Sequence, residues 1–307
     1  MKTKKKTTNT IKGKWWTLPA VLSVVIFTLA AWGFWQFNQF LLFDDEFGYW
    51  TGSAYLTGTD WTSISSGIPY YSYGYGFFIL TPIRLLFPTG PLMYKAALVV
   101  NSLLLVGSFW IARYVTAQLF PKTDSAFRDI VCALCQVYPA YLVFSHIAWA
   151  ECFLVFAFWV FVWLSLRVIS KPSVLNHVGI AATVMLLYVI HQRTLAVAIA
   201  TVMVMIWMFV TDPGRRSNVI VFGITMGVLM LTHSLIKTDL QDRYFHNASD
   251  HHRIIAIVVL AVLMVLSLFF VDRKRRKVIL GFAAVVGAIF CFYTFWKLDL
   301  SGGYVNN

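Results

Sequence analysis

Charge is what this sequence has least of. Only 12% of its 307 residues are Asp, Glu, Lys or Arg, and the acids number 13 against 25 bases. A soluble domain of this length carries far more charge on its surface, which excludes an ordinary globular fold. Cysteine is also sparse. Cys132, Cys135, Cys152 and Cys291 all lie in apolar segments. Cys132 and Cys135 have CxxC spacing, but no second ligand pair follows, so packing is a better reading than a zinc or redox site. There is no internal repeat of useful period and no low-complexity tract beyond the basic N-terminus.

What the chain has is apolar length. Hydrophobic residues make up 59% of the chain and mean hydropathy is +0.71. Runs of roughly 18 or more apolar residues, each able to cross a bilayer, recur throughout. The pattern predicts an all-α, polytopic membrane protein. Spans fit residues 18–42, 92–115, 130–144, 147–169, 178–190, 195–210, 219–236, 254–271 and 278–296. The basic start of the chain precedes a long aromatic run with no small-residue cleavage site, so that run reads as a retained first span. Residues 1–17 form a basic tail, 18–297 a single transmembrane domain and 298–307 a short outer tail.

A shorter apolar piece, 77–87, interrupted by Pro82 and Arg84, decides the topology. If it crosses, there are ten spans; if it only dips into the surface, there are nine. Basic residues concentrate in cytoplasmic loops. With nine spans and a cytoplasmic N-terminus, 18 of the 25 basic residues fall inside, including Lys4, Arg113, Arg128, Arg167, Arg215 and the cluster from Arg273 to Lys277. Ten spans would move every cluster after the first to the outside. Nine spans with a juxtamembrane or re-entrant helix in the first outer loop, 43–91, is therefore the expected architecture. The net charge of +12 is absorbed by these loops and does not imply nucleic acid.

That orientation gathers polar groups on the outer face. Asp44, Asp45 and Glu46 stand at the outer edge of the first span. They read either as a solvated helix end or as a general base or cation site, since a carboxyl at a partly apolar boundary suits proton abstraction. Glu151 lies about one turn into its span with His146 just before it, and a helix–helix hydrogen bond competes with a functional role for both. His191, Gln192 and Arg193 form a tight outer turn, where a basic residue calls for an anionic partner such as a phosphate. The outer loop 237–253 holds Arg243, three histidines and three acids; it suits an anionic lipid-linked group, with metal binding the weaker reading. Asn247 begins a glycosylation sequon that matters only in a eukaryotic secretory context. Tyr71, Tyr73 and six neighbouring aromatics of the first outer loop form an interfacial belt or a surface for stacking on sugars. Gly74 and Gly76 are expected to let the chain turn there.

The stretch DDEFGYWTGSAYL after the first span resembles the polytopic glycosyltransferases of the C-type fold, which include protein mannosyltransferases and the lipid A aminoarabinose transferase. The tracts from Tyr70 to Tyr114, YPAYLVFSHIAWAECFLVF and YVIHQRTLAV are similar to the segments that follow in that family, so the resemblance covers about residues 15–210. It implies an inverting glycosyltransferase that takes a sugar from a polyprenyl-phosphate donor to a glycan, lipid or protein acceptor of the cell envelope, at the outer face of the cell membrane. It implies Asp45 as general base, with Asp44 and Glu46 beside it. Arg193 would bind the donor phosphate, with His191, Glu151, His146, Tyr71, Tyr73 and Arg243 around the substrate. No cofactor or metal is expected. Family members usually have more spans, and often a C-terminal domain beyond them. The rival readings are a non-enzymatic translocator or assembly factor, and a truncated inactive relative.

Overall fold

A computed structural model of the chain describes residues 17–245 apart from 38, 41–43, 69, 71 and 88–89. The expected spans 254–271 and 278–296, and both tails apart from Thr17, lie outside the described residues. Everything described is helix, turn or coil, without a strand. Five helices are long and apolar enough to cross a membrane, and a bent pair passes the same test when joined. The protein is a multi-pass, all-α membrane protein.

The helices are α1 (Thr17–Ala30), α2 (Gly33–Gln36), α3 (Asp44–Thr57), α4 (Thr62–Ser65), a π-helical turn (Gly76–Leu80) that runs into α5 (Thr81–Leu86), α6 (Gly90–Leu119), α7 (Ser125–Gln136), α8 (Pro139–Ser145), α9 (Glu151–Ser170), α10 (Val174–Ile190), α11 (Leu195–Thr211) and α12 (Arg216–Tyr244). They fall into two compact units. The first holds residues 17–163 with 189–192 and 243–245; the second holds 164–188 and 193–242.

In the first unit, α1 and α6 run antiparallel around a core of Ile26, Ala30, Leu105, Phe109, Ala112, Cys132, Ala133 and Cys152. Hydroxyls on α6 bond back to their own helix, as Ser102 Oγ does to the Leu98 carbonyl at 2.9 Å. This removes a donor that lipid or apolar neighbours could not satisfy. The first span ends sooner than expected. The stretch Thr17–Gln36 breaks between Ala30 and Gly33, where His146 packs so tightly on Gly33 that a Cβ there would come within 2.8 Å of its ring.

The expected span at 130–144 is bent by 56°. Its cause is local. Tyr138 takes an extended conformation because Pro139, the first residue of α8, excludes the helical one. The pair still runs in one direction along α6. Arg113 Nε meets Asp129 Oδ1 at 2.7 Å near its start, and Asn101 Nδ2 donates to the Ile147 carbonyl at 2.8 Å past its end. Arg113 and Asn101 are twelve residues apart on α6, or about 18 Å along the axis. Between these two contacts the chain advances along α6.

The described residues of the stretch expected as the first outer loop are largely helical. A short apolar helix, Gly76–Leu86, stands where a juxtamembrane or re-entrant helix was expected, and α3 packs on it through glycine. A Cβ on Gly76 would collide with the Tyr49 carbonyl, and one on Gly74 would lie 2.6 Å from the Val189 carbonyl. These glycines therefore permit close packing inside a helix; the turn expected there does not occur. The glycine that does need a left-handed backbone is Gly58, at φ 67°, which ends α3.

The second unit contains the rest of α9 and α10, with α11 and most of α12. Val221 and Ile224 pack with Val178, Ile220 and Val228. Arg215 donates to the Val168 and Ile169 carbonyls near the end of α9 and pairs with Asp212 at 2.8 Å, satisfying backbone groups that a helix end leaves open. Helix α12 continues to Tyr244, so residues 237–244 of the expected loop 237–253 are helix, and residues 246–253 lie outside the described residues.

Candidate active site

The three acids do not sit on the end of the first span, as their position in the sequence implied. They open a separate helix, α3, and occupy its first turn, where the partial positive charge of a helix N-terminus favours carboxylates. They also part company there. Asp44 is exposed, Asp45 half-buried and Glu46 fully buried.

Glu46 belongs to a buried polar network that links four parts of the chain. Its Oε1 accepts from the Ala148 N–H at 3.4 Å, and the Tyr94 phenol of α6 faces the same carboxyl. Close by, Tyr75 donates to Asn101 Oδ1 at 2.9 Å, and Asn101 holds Ile147, next to Ala148, through its amide. Tyr75, Tyr94 and Asn101 are all fully buried. Sequence reasoning passed over these three. One signal was available: Asn101 is the only carboxamide between residues 92 and 115, and an amide in a span needs a partner.

Asp45 differs from Glu46 in being only half-buried. It stands four residues before Tyr49 on α3, and residues so spaced share one helix face. Tyr49 helps to line a small hollow of about 70 Å³ with Tyr70, Ser72, His191 and Gln192. His191 and Gln192 reach it from the turn after α10, within the first unit. The expected tight turn is present as a 3₁₀ turn, Gln192–Thr194. Arg193, exposed, belongs to the second unit.

The remaining expected residues divide. His146 Nε2 lies 3.2 Å from the Leu29 carbonyl and neighbouring Ser145 donates to the Ala30 carbonyl at 3.0 Å. Together they cap the end of α1, which is the helix–helix hydrogen bond weighed for His146. Glu151 is the first residue of α9 and not one turn inside it. Tyr73 is buried with its ring 4.6 Å from Phe77, turned to packing. Tyr71 lies outside the described residues. Arg243 stacks its guanidinium 5.5 Å from the Tyr55 ring. Beside it, Tyr244 donates to the Thr59 carbonyl and accepts from Ser65, each at 2.9 Å, so the end of α12 is fastened to α3 and α4. At the surface of the same loop, Asp60 accepts from the amide and hydroxyl of Thr62 at 3.0 and 2.7 Å; these donors hold its carboxyl below the usual carboxylate range.

Cys132 is buried with its Sγ 3.3 Å from the Thr116 hydroxyl, while Cys135 is exposed. Among the described residues no three His, Cys, Asp or Glu side chains gather as metal ligands would. Comparison of the chain with protein-family models, curated proteins and solved structures finds no match.

Proposed function

We propose that this protein is a membrane glycosyltransferase that moves a sugar from a polyprenyl-phosphate donor to a cell-envelope acceptor on the outer face of the membrane. The N-terminus is then cytoplasmic and α3 lies outside. The observation that carries the reading is the pairing on one face of α3. A half-buried carboxyl, Asp45, stands one helical turn from Tyr49 and its polar, aromatic hollow. Tyrosine rings with neutral hydrogen-bonding groups suit a carbohydrate, and a carboxylate beside them suits a base.

In the reaction, Asp45 takes the proton of the acceptor hydroxyl as its oxygen attacks the anomeric carbon. The bond from that carbon to the phosphate oxygen breaks from the opposite side, the polyprenyl phosphate leaves with the electron pair, and the configuration inverts. A cation must meet the leaving phosphate. Arg193 is the residue the family resemblance names for it. Glu46, held inside the bundle, fixes the start of α3 and so the position of Asp45. The acids, the aromatic first loop and the juxtamembrane helix support this reading together.

The test is transfer from radiolabelled polyprenyl-phosphate sugars by the purified chain in proteoliposomes. Asp45→Asn should lower the rate by at least about 100-fold, the contribution typical of a positioned base, with an unchanged melting profile. Wild-type rates in that variant would remove Asp45 as the base.

A further inference from the structure

The hollow lined by Tyr49 is small, and its size says what it can take. Sites for whole small ligands usually enclose roughly 300–1,000 Å³. This one encloses about 70 Å³, while a single water needs roughly 10–15 Å³ of comparable space. It has room for a few heavy atoms, hence for one substituent of a ligand and not for a complete sugar ring.

Its walls say which substituent. Tyr49 and Tyr70 contribute rings, Ser72 a hydroxyl, His191 an imidazole and Gln192 a carboxamide. The last three both donate and accept, as a ligand hydroxyl does. Among the described residues no Asp, Glu, Lys or Arg lines the hollow, so a charged substituent meets no opposite full charge from them. Ser72 is 93% buried, from an exposure of 7%, so its side chain belongs to the wall of the hollow and is held in place there. A hydroxyl lining the hollow can exchange a hydrogen bond with a ligand group that enters it. The walls are also braced against each other. Gly74 lies close against the Val189 carbonyl at the end of α10, and Tyr49 packs edge-on to Tyr75 at 5.7 Å.

We infer that this hollow is a specificity subsite for one small neutral exocyclic arm of a sugar, of the hydroxymethyl kind. The inference rests on the glycosyltransferase reading for its place in a reaction, because the spacing of Asp45 and Tyr49 sets the ring that bears the arm beside the base. The subsite accepts a hydroxymethyl group. It discriminates against a sugar that lacks the arm and against one that carries a carboxylate there.

Saturation-transfer NMR on the full chain in nanodiscs tests this without turnover. The probes are methyl glucoside, methyl 6-deoxyglucoside, methyl xyloside and methyl glucuronide. Methyl glucoside should saturate most strongly at its C6 protons, with the deoxy, arm-free and carboxylate probes each about tenfold weaker, the worth of a hydrogen bond or two. Ser72→Leu, which fills the hollow, should abolish the preference. Gln192→Leu changes an exposed turn residue and should weaken it, which keeps the test sound if the first variant misfolds. Equal saturation by all four probes, no saturation by any, or a preference that survives both variants overturns the subsite. If the preference is present but no polyprenyl-phosphate sugar is consumed, the subsite stands and the glycosyltransferase reading falls.

Discussion

Helix α6 carries two buried polar stations twelve residues apart, and they are built differently. At one, Arg113 and Asp129 meet at 2.7 Å, with the Asp129 side chain only 5% exposed. At the other, Asn101 joins Tyr75 and Ile147, while Glu46 is held by a peptide N–H and faced by a phenol. An ion pair answers charge with charge and welds α6 to α7. The Asn101 station answers with neutral donors and acceptors, and it fastens the segments that carry the proposed site. One helix thus carries a structural post at one station and the mount of the proposed site at the other.

Breaking the ion pair should have the largest effect on stability. Arg113→Ala leaves Asp129 buried without its cation and should cost about 3–5 kcal/mol, read as a lowered unfolding midpoint in detergent. Replacing both partners by apolar residues should restore most of that loss, and transfer should follow the amount of folded protein. Asn101→Leu strands the Tyr75 hydroxyl and the Ile147 carbonyl, and should cost about 1–3 kcal/mol for each group left unsatisfied. Its transfer rate per folded molecule should also fall. An unchanged rate would make this station as purely structural as the other and erase the contrast.

Gly76→Ala sharpens the same point from α3. The added methyl has no space against the Tyr49 carbonyl and should cost about 1–3 kcal/mol as overpacking, while shifting the turn that carries Tyr75. Asp60 supplies the smallest expected effect, away from both stations. Its folded carboxyl titrates below the ordinary value of 3.8. Its contribution is therefore complete above that value and fades as pH falls through the lowered one. Asp60→Asn should differ slightly from wild type at neutral pH and converge with it in acid, as measured by unfolding at a series of pH values.

Much of the fold was legible because its signals are local. A short helix stands at Gly76–Leu86, where Pro82, Arg84 and the short apolar run place it. A bend between α7 and α8 was equally open to view, since Tyr138 precedes a proline; the apolar run of 130–144 hid it, because hydropathy does not register backbone direction. The candidate site was legible by composition alone. Nothing in the triplet Asp44, Asp45, Glu46 indicates which acid is buried, because that depends on Ala148, 102 residues away.

By itself, then, the sequence determined that this chain lives in a bilayer as helices, because the length of an apolar run and the need to satisfy every backbone group act residue by residue. Only the tertiary structure decided what the polar residues do. It put Glu46 inside and left Asp45 on the face of Tyr49, gave His146 to the end of α1, and drew Ser72 and His191 around one hollow. Burial and hydrogen bonding between distant segments make those assignments, and no local pattern encodes them.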